Sequence, residues 1–182
     1  QWARAAEAGR SVAEGYRSVL EDPAAHPEEA WAVARLVTDA GHPAEALALN
    51  RFLVDHYRTR PGSAHERGPA RLRAALVNLG AALWVQGDLD QADAALAEAV
   101  DRSREAGDDV QLQAALGNLA LVRRDRGDLD AALALFATDA ELCRRLGSTW
   151  GLQANLGNQA GALRQLGRYD EALTLLAEQE AV

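Results

Sequence analysis

The sequence predicts an all-α protein, an α-solenoid in which antiparallel helix hairpins stack one after another. The stretch Gly-Asp-Leu-Asp occurs at residues 87–90 and again at 127–130, and a variant, Gly-Arg-Tyr-Asp, occurs at 167–170, so the copies are 40 residues apart. Within this unit, leucines recur at three- and four-residue steps, which is the period of a helix face, and no span alternates as a strand would. A fixed period of this size is the sequence signature of a repeat array.

The N-terminal part is predicted to hold one helix and a divergent repeat. Residues 1–22 are typical of a helix, and residues 25–70 of a repeat with a longer loop. Gly41 starts a turn that corresponds to the one at Gly87, but it precedes Gly87 by 46 residues instead of 40. We assign the extra residues to a loop within 58–70, where the sequence has Pro61, Gly62, Gly68 and Pro69.

Three more regular units follow, at residues 71–110, 111–150 and 151–182, and the last of them is truncated. When the last unit is aligned with the one before it, Val182 falls inside the second helix. Terminal repeats need a polar capping face for solubility. We therefore expect the natural protein to continue beyond this point, and the chain to be a fragment of a larger protein.

Each regular unit contains a predicted turn between two helices. Gly87 can end the first helix because glycine adopts the left-handed conformation without a steric cost. Asp88 can then cap the second helix, with Gln91 completing a capping box. Arg168 cannot cap in this way, so we expect a looser turn in the last unit. The second helices are predicted to end at two further glycines, Gly107 and Gly147.

Three residues depart from the apolar pattern of the repeat. Arg123 stands where the other first helices have leucine, and Asp139 and Gln179 stand where Ala99 predicts a small packing residue. These departures predict looser packing in the units that contain them.

Together these features resemble a tetratricopeptide repeat, in particular the longer variety of roughly 40 residues that occurs in bacterial signalling proteins and kinesin light chains. The resemblance rests on the helix-pair unit, the Gly-Asp turn, the steps Asn-Leu-Gly at 78–80 and Asn-Leu-Ala at 118–120, and the ending Cys-Arg-Arg-Leu-Gly at 143–147. It implies a right-handed superhelix whose concave face is lined by the first helices. A HEAT or armadillo unit is the alternative.

Composition narrows the classes of partner. The chain carries a formal net charge of -8 with a pI of about 5.0, which suits a neutral or basic partner and argues against nucleic acid. No apolar run reaches the roughly 20 residues of a membrane-spanning helix, so we expect a soluble, cytoplasmic protein. The single cysteine, Cys143, excludes a disulfide framework, and the four histidines lack metal-ligand spacing, so no metal or cofactor is expected.

One column of asparagines is the main candidate binding site. The 40-residue step carries Asn78 onto Asn118 and Asn158. The resemblance implies that such an asparagine hydrogen-bonds the backbone of a bound peptide, for which its amide offers both a donor and an acceptor. Alternatively, each asparagine caps or bridges to a neighbouring helix.

A second column lies six residues further on, at Trp84, Arg124 and Arg164. An aromatic ring followed by two guanidinium groups could anchor an apolar side chain and bind a carboxylate or phosphate. Alternatively, Trp84 covers the neighbouring repeat and the arginines are solvated. Leu121 completes the predicted groove.

Three glycines stand inside predicted helices, where each costs about 1 kcal/mol relative to alanine. Either they permit close contact between helices or they leave a groove open for a ligand. They are Gly117, Gly157 and Gly161.

The sequence contains no catalytic motif such as GxSxG, a Walker loop or GxGxxG after a strand. We therefore expect a non-enzymatic scaffold or sensor module that binds a protein or peptide on the concave face, as the resemblance implies. The alternatives are self-association into a homo-oligomer through the open repeat ends and, from another class, an enzyme subunit with a phosphatase-like role.

Overall fold

The computed structural model describes residues 17–39, 43–59 and 68–182, and within these ranges the chain is helical apart from short turns. Residues 17–21 are helical, whereas residues 1–16 of the helix expected over 1–22 lie outside the described residues. The described ranges contain no strand, which confirms the all-α prediction. The helices that follow are α1 (Pro27–Asp39), α2 (Pro43–Thr59), α3 (Gly68–Val85), α4 (Leu89–Ala106), α5 (Asp109–Asp125), α6 (Leu129–Leu146), α7 (Thr149–Gln165) and α8 (Tyr169–Ala181).

The chain divides into two compact units, residues 1–75 and 76–182. In the first unit α1 packs against α2. The start of α3 is tied to both helices, because the Arg71 guanidinium forms an ion pair with Glu28 and donates a hydrogen bond of 3.2 Å to the Tyr57 hydroxyl.

Helix α3 begins earlier than the sequence predicts. Gly68 and Pro69, which we expected in the loop, belong to its first turn. Proline is well accepted there, because its missing N–H is one that the first turn leaves unbonded anyway. The other two residues expected in that loop, Pro61 and Gly62, lie outside the described residues.

In the second unit each helix from α4 to α8 packs against the next one along the chain. These contacts form the hairpins α5–α6 and α7–α8, and the turn at Gly87 joins α3 to α4 as a third. Helix α3 approaches α4 closely at Gly80, where a Cβ atom would lie 2.4 Å from the Leu96 side chain. The first helices of two successive hairpins, α5 and α7, also contact each other. The predicted stack of helix hairpins is thereby confirmed.

The helices of the second unit are joined by turns of one kind. Five glycines of the described chain have positive φ, between 63° and 85°, and they are Gly87, Gly107, Gly127, Gly147 and Gly167. At the first of them, the glycine N–H donates to the Trp84 carbonyl at 2.9 Å, and the Asp88 N–H donates to the Leu83 carbonyl at 3.0 Å. The other four turns repeat this pair of bonds, which defines a Schellman motif.

The residue after each of these glycines is also the N-cap of the next helix. The Asp88 carboxylate accepts a hydrogen bond of 3.2 Å from the Gln91 N–H, as predicted. The capping box is only half formed, however, because the Asp88 N–H is already bonded to the Leu83 carbonyl. The Gln91 side-chain amide donates to the Asp88 carboxylate instead.

The expectation of a looser turn at Arg168 is wrong. Gly167 has a φ of 75°, and the Arg168 N–H donates to the Leu163 carbonyl at 2.9 Å, as in the other turns. The reason is that the two turn bonds join backbone atoms and do not depend on the side chain at the N-cap. The Arg168 guanidinium binds the Glu171 carboxylate with two bonds of 2.6 Å.

Arg123, the first departure from the apolar pattern, is matched by an acid on the preceding helix. Its guanidinium binds Asp93 of α4 with both ends, and one of the two bonds measures 2.8 Å. One 40-residue step later, both positions are leucine, and Leu163 packs with Leu133 in one apolar cluster. A polar pair thus replaces an apolar pair at the same contact.

The other two departures from the apolar pattern, Asp139 and Gln179, each face a glycine on a neighbouring helix. A Cβ atom at Gly117 would lie 3.1 Å from Asp139 Oδ2, and one at Gly157 would lie 2.9 Å from Gln179 Nε2. These two glycines therefore permit close contact between helices, whereas Gly161 faces open space. Asp139 and Gln179 lie against these glycines, so close contact replaces the looser packing expected at these positions.

We expect Gly127→Ala to destabilise the second unit by about 1–2 kcal/mol, since alanine is strained at positive φ. Gly161→Ala is the matched control, because a Cβ atom meets nothing within 4 Å at either position. It should stabilise by roughly 0.5–1 kcal/mol, because Gly161 lies inside α7. Urea unfolding followed by circular dichroism measures both, and equal effects of the two substitutions would contradict the assigned turn geometry.

We expect Arg123→Leu and Asp93→Leu each to destabilise the chain by about 1–3 kcal/mol, because each removes the main partner of a partly buried charge. Only the longer contacts of Arg123 with Asp128, at 3.4 Å, and of Asp93 with Arg126, at 3.8 Å, remain. The double variant should recover most of the loss, since it recreates the pair Leu163 and Leu133. The exposed pair Arg145 and Asp109 serves as a control, with a coupling free energy of about 0–1 kcal/mol. Additive losses at Arg123 and Asp93 in chemical unfolding would disprove the coupling.

Candidate functional site

The first helices of two successive hairpins, α5 and α7, line a groove of about 440 Å³, with α6 beneath them. The lining positions on α5 and α7 recur at three- and four-residue steps, so each helix presents one face. The lining residues are Val110, Gln113, Ala114, Gly117, Asn118 and Leu121 from the α5 side, Phe136 and Asp139 from α6, and Trp150, Gly151, Ala154, Asn155 and Asn158 from α7.

Three of the seven residues predicted to bind a ligand meet in this groove, namely Asn118, Leu121 and Asn158. The Asn118 side-chain amide donates to the Ala114 carbonyl of its own helix at 2.8 Å, which uses one of its two N–H groups. Asn78, the equivalent residue on α3, is half-buried and is not among the residues that line the groove.

The second predicted column takes part in a chain of polar contacts across three helices. The Trp84 indole N–H donates to the Asp125 carboxylate at 2.7 Å, and Arg124 Nε donates to the same carboxylate at 3.0 Å. Arg124 Nη1 then reaches Asn158 Oδ1 at 3.5 Å. Trp84 and Arg124 therefore bridge neighbouring repeats, while Arg164 is exposed.

Sequence reasoning did not place Asp139 and Asn155 in the groove. Asp139 is 3% exposed, and Asn155 is 4% exposed. The Asn155 side-chain amide donates to Asp139 Oδ2, and the Cys143 thiol makes a long contact of 3.8 Å with Asp139 Oδ1. The signal for Asp139 was present, because it is an acid in a column where Ala99 predicts a small residue, but it pointed to packing.

Burial sets the ionisation of this cluster. Removal from water raises the pKa of Asp139 to about 6, against the lowering effect of the hydrogen bonds from Asn155 and Cys143. Burial also raises the pKa of the Cys143 thiol, and the nearby Asp139 charge raises it further. The carboxyl group is therefore mainly ionised above pH 6, while the thiol stays protonated.

The groove has an exposed apolar edge. Trp150 is 80% exposed and Val110 is 63% exposed, and both line the groove. The two residues are one 40-residue step apart, so they occupy the same position at the start of successive first helices. Exposed large apolar side chains beside a groove are typical of binding surfaces.

Within 17–39, 43–59 and 68–182, no group of three or more His, Cys, Asp or Glu side chains could hold a metal ion. No helix of these ranges is long and apolar enough to span a membrane.

Comparison with known proteins identifies the repeat. Two family models described as tetratricopeptide repeat match residues 71–138 and 154–178, together just over half of the chain. No curated protein sequence matches the chain significantly.

Several solved structures share the fold. BtubC (BKLC) from P. vanneervenii has a TM-score of 0.73 and 21% identity over 97% of this chain and 70% of its own length. Aspartyl phosphate phosphatase F from Bacillus subtilis has a TM-score of 0.75 and 13% identity over 85% of this chain and 39% of its own length. The Rap conjugation gene regulator of plasmid pLS20, solved with a Phr peptide, has a TM-score of 0.69 and 19% identity over 90% of this chain and 46% of its own length.

At these identities the structural likeness shows a shared helical-repeat fold, and this chain spans less than half of the phosphatase and of the conjugation regulator. The matched repeat models, the 40-residue step and the stacked hairpins with glycine turns agree on one assignment. The chain belongs to the tetratricopeptide repeat family, in the variety with 40-residue units.

Proposed function

We propose that this chain is a binding module that acts without catalysis and holds an extended segment of a protein or peptide in the groove between α5 and α7. The observation that carries the proposal is the joint placement of Asn118 and Asn158 in one open groove beside the exposed Trp150. Its volume of about 440 Å³ lies within the usual range of ligand sites, about 300–1,000 Å³.

The groove offers two kinds of contact to an extended segment. Asn118 and Asn158 come from successive hairpins, so their amides can bond a peptide backbone at two separate points. Trp150 and Val110 offer apolar surface to the side chains between those points. This division suits a site that fixes the backbone with polar groups and selects side chains with apolar ones.

A fold-level analogy supports the same proposal. The conjugation regulator of plasmid pLS20, whose fold this chain shares, was solved with a peptide bound. Because the present chain spans 46% of that regulator, we infer that it serves as the sensor or scaffold part of a larger bacterial regulatory protein in the cytoplasm.

We expect the double substitution Asn118→Ala with Asn158→Ala to weaken peptide binding at least about tenfold, because two backbone hydrogen bonds are worth about 1 kcal/mol each. The probes are peptides selected by the wild-type chain from a phage-displayed random library, with affinities measured by fluorescence polarisation. The far-ultraviolet circular dichroism of the variant should match that of the wild type.

Thr138→Ala is the matched control for Asn118→Ala. Thr138 is exposed on α6 and, like Asn118, bonds the carbonyl four residues before it, at 2.9 Å. It lies outside the groove, so its loss should leave peptide affinity unchanged. Selected peptides whose affinity is insensitive to both asparagines would disprove binding in this groove.

Self-association is a second candidate function, and one observation favours it. Leu133 of α6 packs against Leu163 of α7, whereas its equivalent on α8, Leu173, is 65% exposed. Tyr169, one turn earlier on α8, is 62% exposed. A second copy of the chain could cover this apolar face as α7 covers α6.

We expect a chain that self-associates through α8 to lose the oligomer when Leu173 is replaced by arginine. A charge at the centre of an apolar interface leaves a desolvated group without a partner. Light scattering coupled to size-exclusion chromatography gives the mass of the wild-type chain and of Leu173→Arg. A monomeric wild-type chain at high concentration, or an oligomer that survives Leu173→Arg, would rule out this interface.

A further inference from the structure

The deepest part of the groove holds a buried carboxylate that has no basic partner in the part of the chain that the structure describes. Asp139 is 3% exposed, and its neighbours there are uncharged: Gly117 from α5, Asn155 from α7 and the Cys143 thiol from its own helix. Taking an ionised carboxylate out of water without a counter-charge is costly, so such a group is unusual unless it has a use.

A second hydrogen-bond acceptor next to Asp139, the side-chain oxygen of Asn155, lacks a donor within the described ranges. One N–H of the Asn155 side-chain amide donates to Asp139 Oδ2, and Asn155 Oδ1 is buried without a hydrogen-bond partner among the described residues. Asp139 Oδ1 has only the long thiol contact from Cys143. The Gln113 amide, which lies in the same corner, contacts the Cys143 thiol, so Asn155 Oδ1 is still left without a donor in the described part of the chain.

At Gly117, α5 places no side chain against the buried Asp139 carboxylate. A Cβ atom at this position would lie 3.1 Å from Asp139 Oδ2 and would stand over the carboxylate. Since glycine has no Cβ, a slender side chain of a ligand in the groove can approach from there. The half-buried position of Gly117 on the groove face agrees with this route.

Two features of the surroundings of Asp139 favour a cationic group on the ligand. The Trp150 ring is 80% exposed on the groove edge, and a guanidinium or ammonium group is attracted to the face of such a ring. The whole chain carries a formal net charge of -8, which raises the local concentration of basic partners.

We propose that the groove selects segments that carry arginine or lysine, whose side chain passes Gly117 and places its charged end on Asp139 and Asn155. Arginine fits best, because its guanidinium has five N–H donors and can serve the oxygens of both residues. The inference rests on the proposed peptide-binding function and names the side-chain chemistry that the groove reads.

The test begins with the peptides that the wild-type chain selects from a phage-displayed random library. Among those that depend on Asn118 and Asn158, we expect enrichment of arginine and lysine over the input library. A second selection on Asp139→Asn should lose that enrichment. The substitution changes one oxygen for an amide, so the remaining side-chain oxygen can still accept from Asn155.

Asp101→Asn is the matched control. Asp101 is exposed on α4, so this variant has the same net charge as Asp139→Asn without touching the groove. It should keep the enrichment for basic residues. If it loses the enrichment as well, the preference comes from overall charge, and the proposed contact with Asp139 is overturned.

A double-mutant cycle then tests the contact itself. For one selected peptide, arginine→glutamine in the peptide and Asp139→Asn in the chain should each weaken binding about tenfold, and together hardly more than either alone. Independent, additive effects would overturn the proposal. The peptides carry acetylated and amidated ends, so a terminal amine cannot supply the charge.

The pH dependence of peptide affinity gives a further test, because a purely structural role of Asp139 would not change it. Asp139 has its pKa raised to about 6, and Cys143, the titratable group in contact with it, has its pKa raised as well. Affinity for the arginine peptide should therefore fall about tenfold as the pH drops from about 7.5 to about 5, because the carboxyl group becomes neutral. With Asp139→Asn the affinity should be flat, and a flat wild-type profile would contradict the contact.

Unfolding experiments separate loss of binding from loss of structure. An unfolded aspartate has a pKa of about 3.9, so a folded pKa of about 6 means that the wild type loses stability as pH rises through this window. Asp139→Asn should then be at least as stable as the wild type near pH 7.5.

The outcomes distinguish the two proposals. If no selected peptide depends on Asn118 and Asn158, the groove does not bind peptides and both proposals fail. If such peptides exist but show no basic residue and no sensitivity to Asp139→Asn, peptide binding stands and the proposed charge selection fails.

Discussion

The second unit depends on a two-residue turn that repeats five times in the described chain. A glycine with positive φ ends one helix, and the next residue occupies the N-cap position of the following helix. Because both turn bonds join backbone atoms, the same pair of bonds forms whether the N-cap residue is an aspartate, as at Asp88, or Arg168. A constant turn keeps every hairpin in the same register with its neighbours, and the contacts between hairpins follow from that register.

A constant register means that residues in equivalent columns have the same partners. Arg123 binds Asp93, and one step later Leu163 packs with Leu133. In the same way, Gly117 makes room for Asp139. Any substitution in one column therefore has to be matched in its partner column, because a lone change would leave a buried charge or an overfilled space. The residues that depart from the repeat pattern do occur in such pairs, as Arg123 with Asp93 and Asp139 with Gly117 show.

The difference between local and paired features explains what could be predicted from the sequence. The positions of the turns were predictable, because Gly87 and Asp88 act through their own backbone and side chains, whereas the regular turn at Arg168 was not. The column of Asn118 and Asn158 was also predictable, since equivalent residues of a stack lie in line. The environment of Asp139 was not, because it depends on Gly117 and Asn155, which lie on two other helices. Likewise, the bond from Trp84 to an acid of the next hairpin has no sequence signature.

The paired columns also explain how hairpins joined by the same turns can present different side chains. In the hairpin α3–α4 the column pair is Val77 with Ala99, which is apolar, whereas in α5–α6 it is Gly117 with Asp139. In α7–α8 the pair is Gly157 with Gln179, whose amide is bonded to the Gln153 carbonyl at 2.9 Å.

The same position of the repeat therefore makes an apolar contact in the first of these hairpins and an acidic contact in the second. In the third it holds an amide that is hydrogen-bonded within the chain. The acid differs from the other two because its neighbours leave it without a counter-charge within the described chain. The repeated backbone supplies the groove, and the exchange of a single column pair makes one hairpin chemically distinct from the next. Specificity in such an array can therefore change without any change in the stacking of its helices.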